Sequence, residues 1–268
     1  PNPFKEFHIG HMMNNAIGES ISRIVKGNGA EVQTATYHGD VGLHVAKAVW
    51  AIMKHHTPFM EAYAYGHKMY EEDENIKNEI IDINKKIYDE SDEGINKIYE
   101  NGREKSLEYF ETIYKKLDSN FDYHFFESES GEVGKGLVLE NIPKIFQEGD
   151  EGAVIFRGEN FEPKTHTRVF LNKDKLPTYE AKELGLAQIK KDFFNYDTSI
   201  TITANEQDSF FKVVEVAIGE VFPELKGKLN HISHGLLKLP TGKMSSREGN
   251  VISAEALIDQ VKAKVREK

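Results

Sequence analysis

The sequence predicts an α/β protein interrupted by an inserted segment of long helices. Three observations predict it. Helix, strand, loop and helix follow one another from residue 9 to about residue 54. Residues 58–117 then carry only helical spacing, rich in Glu, Lys, Asn and Tyr. Beyond them β-type runs return, alternating with helical stretches, which is the order of a sheet covered by helices.

Each element has its own signal. Ile17, Ile21, Ile24 and Val25 recur at helical spacing from Ile9 to about Lys26, and "KGNG" ends that helix. "EVQTATY" (31–37) reads as a strand, "HGDVG" as a glycine-punctuated turn, and "LHVAKAVWAIMK" (43–54) as a helix. This is half of an α/β unit whose first strand would lie just before Pro1; the chain starts at Pro1 rather than Met, which implies residues upstream. In the insertion, Ile76, Ile80, Ile83 and Ile87 follow a 4-3-4 spacing, and Leu107, Phe110, Tyr114 and Leu117 a similar one. Two or three amphipathic helices packed as a hairpin are expected. A short helix near 132–148 follows, then β-type runs "GAVIFRG", "TRVFLN" and "TSITIT", with helices over Tyr179–Lys191 and Asp208–Val221. "HISHGLLKL" (231–239) reads as the last strand, "PTGKMSSREGN" as a loop, and Ser253 as the N-cap of a final helix.

The 268 residues are 39% hydrophobic and 29% charged, a balance that supports a folded core. The absence of cysteine excludes disulfides and any cysteine zinc site, and fits a reducing compartment such as the cytoplasm. No run of about 18 apolar residues suggests a membrane span. A net charge of −10 excludes a broad basic face for nucleic acid, so RNA contacts must come from local lysine patches or from parts outside this chain.

Two motifs carry chemistry. His8-Ile9-Gly10-His11 stands where a helix begins, and a helix N-terminus offers free N–H groups and partial positive charge to a phosphate. Two imidazoles three apart share one side of that turn, and Gly10 leaves room for a nucleoside. Metal ligation is disfavoured because no third ligand sits nearby. Near the other end, "GKMSSREGN" (242–250) puts Lys243, Ser245, Ser246 and Arg247 on a glycine-flanked loop suited to clamping a triphosphate.

In this order, "HIGH" and "KMSSR" resemble the two signatures of class I aminoacyl-tRNA synthetases. Between them "YHGDVGLHVAKAVW", "THTRVFLNKDKLPTYEAKELGLA", "NEQDSFFKVVEVA" and the insertion's "KMYEED" resemble the arginyl-tRNA synthetase family over nearly the whole chain. The resemblance implies a Rossmann-like parallel sheet of the HUP type with an inserted long-helix subdomain. It implies ATP-dependent activation of arginine to the adenylate and transfer to tRNA(Arg), with magnesium carried on ATP. A cytoplasmic protein, without membrane attachment and monomeric, is expected.

Site residues follow by resemblance. His8, His11, Gly10, Lys243, Met244, Ser245 and Ser246 would hold ATP and stabilise its phosphates. The family's general K-M-S-K-S reads here Lys243-Met244-Ser245-Ser246-Arg247; a lysine upstream of the first motif compensates in such members, and Lys5 occupies that place. Arginine would be held by Asn2 at its amino-carboxylate end and by Tyr179, Glu183 and Gln207 at the guanidinium. Tyr179 and Glu183 are one turn apart, so both can face one pocket, and Glu183 stands where the family usually has Asp. His38, Gly39 and Asp40 match a motif lining the active site, and His44 reads as a helix-start histidine.

The expected organisation is 1–57 and 151–252 as two halves of a catalytic domain, 58–150 as the helical insertion, and 253–268 as the start of a helix leading to an anticodon-binding domain. The family's tRNA-elbow and anticodon domains, and an acidic pocket residue before Asn2, lie outside this sequence. Two alternatives stand: a non-catalytic binding fragment, disfavoured by intact His8, His11 and Lys243, and another HIGH-bearing nucleotidyltransferase, disfavoured by the arginine-pocket match and the long insertion.

Overall fold

The computed structural model describes residues 1–235 and 253–267, with the backbone alone of 238–239 and 242–243. The chain divides into two compact units, Pro1–His124 with Leu237–Lys268, and Phe125–Leu236.

In the first unit the chain runs α1 (Ile9–Gly27), β1 (Ala35–His38), α2 (Leu43–His55), α3 (Phe59–Glu72), α4 (Glu74–Asp89) and α5 (Glu93–Lys116). The predicted strand at 31–37 is shorter at its start, and Thr34 instead accepts from the N–H groups of Asp122 and Tyr123. Helix α2 is buried on every side from Val45 to Ala51, so it forms the centre around which α3, α4 and α5 pack. Ile80, Ile83 and Ile87 of α4 face it as their spacing predicts. The insertion's turns are set by carboxylates: Asp73 Oδ1 accepts from Asn75 N and Ile76 N at 2.8 and 3.2 Å, and Asp92 Oδ1 from Ile95 N at 3.0 Å. Each cap satisfies N–H groups that a helix start leaves unpaired, worth about 1 kcal/mol. A second small core gathers Phe7, Phe110, Ile113, Tyr114 and Ala254.

Strand β2 (Tyr123–Phe126) ends the first unit and begins the second. There α6 (Glu127–Glu140), β3 (Gln147–Glu148), β4 (Val154–Phe156), β5 (Arg168–Leu171), α7 (Tyr179–Phe193), β6 (Ser199–Ala204), α8 (Asp208–Val221) and β7 (Leu229–His234) follow. Strands β3, β4 and β5 form an antiparallel sheet. Strands β6 and β7 pair in parallel from Ser199 with Leu229 to Ala204 with His234, joined through α8. That strand–helix–strand crossover is the α/β feature the sequence predicts. The helix expected near 132–148 instead spans Glu127–Glu140, because its acidic start serves as the first turn. Glycines in both helices allow backbone contact between α6 and α7: a Cβ on Gly134 of α6 would lie 1.8 Å from the Ala181 carbonyl oxygen, and one on Gly185 of α7 1.9 Å from that of Ser130.

The strand expected over 231–239 ends at His234; Lys238–Leu239 (β8) and Gly242–Lys243 (β9) form a separate short antiparallel pair. The last helix, α9 (Ala254–Arg266), is capped by Ser253 Oγ, which accepts from Ala256 N at 3.1 Å. Among the described residues no helix is long and apolar enough to cross a membrane.

Candidate active site

His8 is the N-cap of α1, and its ring folds back onto the helix. His8 Nδ1 accepts from Gly10 N at 3.1 Å, while His8 N donates to His11 Nδ1 at 3.3 Å. This is a reciprocal capping box made of two imidazoles. Both Nδ1 atoms are occupied as acceptors, so each neutral ring carries its proton on Nε2. The rings stack with centroids 3.8 Å apart and 17° between planes. Burial lowers His8 to about 4 and His11 well below its usual value, which keeps both neutral near pH 7. The arrangement therefore presents two Nε2–H donors at a helix N-terminus, a fit for phosphate oxygens. Gly10 has a local reason as well: a Cβ there would meet His8 Nδ1 and Cε1 at 3.0 Å.

The start of α9 is tied to this point. Ala254 N donates to the Phe7 carbonyl at 2.8 Å, and His8 pairs with Ser253 in an isolated antiparallel bridge. The chain thus returns to His8 ten positions after Lys243. Lys243 itself is described only as backbone in β9; Met244, Ser245, Ser246 and Arg247 lie outside the described residues. Asn2 and Lys5 flank a tight turn in which Lys5 N donates to the Asn2 carbonyl at 3.3 Å. The Lys5 ammonium stands 4.3 Å from the centre of the Tyr63 ring.

His38 and Asp40 are 0% exposed, so they support the loop from beneath and offer no open surface. His38 Nδ1 donates to the Pro1 carbonyl at 3.1 Å and its Nε2 accepts from Thr36 Oγ1, with the ring stacked between Phe110 and His124. Burial lowers it to about 3. Asp40 Oδ2 accepts from Arg103 Nε at 2.9 Å and Tyr99 Oη at 3.3 Å. His44 Nε2 donates to the Gly39 carbonyl at 2.8 Å and shapes the turn, as a helix-start histidine would. Sequence reasoning missed Arg103 and Tyr99, which lie about sixty residues from their partner.

In the second unit, Tyr179 opens α7 and is 58% exposed, and Gln207 is exposed ahead of α8. Glu183 lines a cavity of about 30 Å³ with Lys190, Ser199, Glu215 and His231 among its walls. Tyr179 and Gln207 do not line that cavity. Its volume suits one or two waters rather than an amino-acid side chain. Burial raises Glu183 to about 7 against the pull of Lys190, which burial in turn lowers. The neighbouring Lys182 pairs with Glu127 Oε2 at 2.7 Å.

In the first unit a helix-capping histidine pair at the head of the chain is thus tied to the start of α9. The sequence pattern of the family described as tRNA synthetases class I (R), catalytic domain, matches residues 1–268, and the chain belongs to that family. It is similar to the arginine–tRNA ligases of Borrelia garinii subsp. bavariensis, 32% identical over 96% of this chain and 47% of the relative, and of Treponema denticola, 30% identical over 97% and 46%. The fold resembles arginyl-tRNA synthetase structures from Plasmodium falciparum, with TM-score 0.70, 20% identity and coverage of 88% of this chain and 42% of that one, and from Thermus thermophilus, with 0.67, 18%, 100% and 52%. The chain spans about half the length of the curated relatives it matches.

Proposed function

We propose that this chain is the catalytic part of an arginine–tRNA ligase. Arginine's carboxylate attacks the α-phosphate of ATP, pyrophosphate departs, and the arginyl group passes from the adenylate to the 3′ end of tRNA(Arg). No covalent enzyme nucleophile is required; positioning and charge stabilisation carry both steps. Supporting this reading is one observation above the rest: two neutral, stacked imidazoles whose Nδ1 atoms are taken up by the helix cap, leaving the proton of each on Nε2 at the head of α1. Neutral donors can follow the charge that builds on the phosphates without first being displaced from a salt bridge.

In this reading His8 and His11 contact the phosphates, Gly10 the nucleoside, and Lys243 with Met244, Ser245 and Ser246 closes over the departing pyrophosphate. Lys5 supplies the second cation. Magnesium arrives on the triphosphate as part of the substrate. Asn2 takes arginine's amino-carboxylate end, while Tyr179, Glu183 and Gln207 take the guanidinium; a carboxyl held near neutrality by burial becomes a strong acceptor once a cation reaches it. His38, Gly39 and Asp40 shape the floor. Residues 1–57 and 151–252 act as one catalytic domain around the 58–150 insertion, with 253–268 leading onward, in a monomeric cytoplasmic enzyme.

The test is exchange of labelled pyrophosphate into ATP by the full-length protein with tRNA present. Exchange is expected with arginine and not with lysine; the reverse would overturn the substrate assignment. His11→Ala should slow exchange by about 10- to 1000-fold, and an unchanged rate would remove that histidine from its role.

A further inference from the structure

One face of α5 grips two loops at once. Tyr99, Gly102, Arg103 and Ser106 stand at i, i+3, i+4 and i+7, a single stripe along the helix. At one end Ser106 Oγ accepts the Phe4 backbone N–H at 2.9 Å while donating to the Gly102 carbonyl at 2.7 Å. The Phe4 ring, 1% exposed, lies directly on Gly102, where a Cβ would sit 2.2 Å from its Cε1. Phe59 covers the ring from α3, with centroids 5.5 Å apart. Phe4 holds φ 63°, a left-handed conformation that costs a non-glycine residue about 1 kcal/mol and persists only where its surroundings fix it. Along the same stripe Arg103 and Tyr99 hold the buried Asp40 carboxylate.

Packing alone does not call for these contacts. An apolar side chain at position 40 would fill its space at lower desolvation cost than a buried carboxylate held by side-chain partners. What the polar anchors add is direction. Phe4 lies between Asn2 and Lys5 and four residues before His8; Asp40 lies two residues after His38 and two before Gly42.

We propose that the Tyr99–Ser106 face of α5 is a positioning ridge for the reaction, fixing the Asn2–His8 segment against the His38–Gly42 loop, with Phe4, Gly102, Arg103 and Ser106 as positioning residues. The inference rests on the arginyl-adenylate reading for its chemistry. A shift near 1 Å in such a segment can cost about 100-fold in rate, so the helical insertion tunes catalysis through the floor of the site.

Full-length protein carrying Gly102→Ala, Gly102→Ala with Phe4→Leu, Arg103→Met, Arg103→Lys or Ser106→Ala tests this by arginine-dependent pyrophosphate exchange. Gly102→Ala should lower kcat by about 10-fold or more while the protein stays folded, and the smaller Leu at position 4 should restore most of it. Arg103→Met should lower kcat by a similar factor and Arg103→Lys should recover part of it; this pair decides the matter if Gly102→Ala does not fold. Folded Gly102→Ala or Arg103→Met protein with unchanged kcat and KM, or a Gly102→Ala loss that Leu at position 4 does not relieve, overturns the ridge. Hydrogen exchange of the Phe4 amide separates this from the substrate reading. If the parent shows no arginine-dependent exchange, the arginyl reading fails. Faster exchange at Phe4 in folded Ser106→Ala still supports the anchor then, and unchanged protection overturns it.

Discussion

His8 and His11 lie with ring centroids 3.8 Å apart, each Nδ1 accepting from a backbone N–H of the first turn of α1. Both titrate below their usual range, and His38 joins them at about 3, with burial the leading cause in all three. Between pH 6.5 and about 4 the unfolded chain therefore binds protons that the folded chain refuses. Stability is full above that window and declines as pH falls through it, by up to about 1.4 kcal/mol per pH unit for each histidine. Urea midpoints measured from pH 7 to 4 check this, and a His38→Gln variant should show a shallower decline.

Glu183 works in the opposite direction. Its folded value of about 7 stands above the unfolded one, so the native state keeps a proton that the unfolded chain gives up. That stabilising contribution is complete below about pH 4.5 and is lost as pH rises toward 7. Glu183→Gln should gain on the parent in urea midpoint across this interval. A constant difference between the two proteins would show that the carboxyl is ionised throughout.

Lys182 and Glu127 are both almost fully buried and meet at 2.7 Å. Lys182→Met strands a carboxylate in the interior, and a loss of about 3–5 kcal/mol in chemical denaturation is expected. Adding Glu127→Gln should return a good part of that loss, since the cost lies in a buried charge that has lost its ammonium.

Two glycines of α6 should respond with opposite signs. Gly134→Ala drives a methyl into the Ala181 carbonyl and should destabilise by about 2–3 kcal/mol or more. Gly136 has open space at its Cβ position, so Gly136→Ala should stabilise by about 0.5–1 kcal/mol. Thermal unfolding of the two single variants reads both effects.

Where local pattern and tertiary packing agree, the elements are legible in the sequence. Asp208–Val221 is helical as its apolar run predicts, and Ser253 caps α9 through the expected hydroxyl. Errors fall where tertiary partners decide. "ESES" falls ahead of the helix expected near 132–148, yet it becomes the first turn of α6, and the apolar "GLLKL" extends a strand on paper that ends at His234. The histidine pair was legible from spacing; its reciprocal cap was not, because backbone N–H groups leave no trace in composition. Asp40 was picked out by its motif, whereas Arg103 looked like one more solvated charge among the lysines and glutamates of α5. Glu183 stood out by position, yet its protonation follows from walls supplied by α8, β6 and β7.

The touching backbones of α6 and α7 restrict how Tyr179 and Glu183 can adjust. With the Ala181 and Ser130 carbonyls seated against Gly134 and Gly185, sliding either helix by one residue's rise, about 1.5 Å, would replace glycine with a bulkier neighbour at the crossing. The two helices travel as a single block. Any rearrangement at this end of the second unit must then come from side-chain rotation and from the strands opposite, while the helical wall stays put.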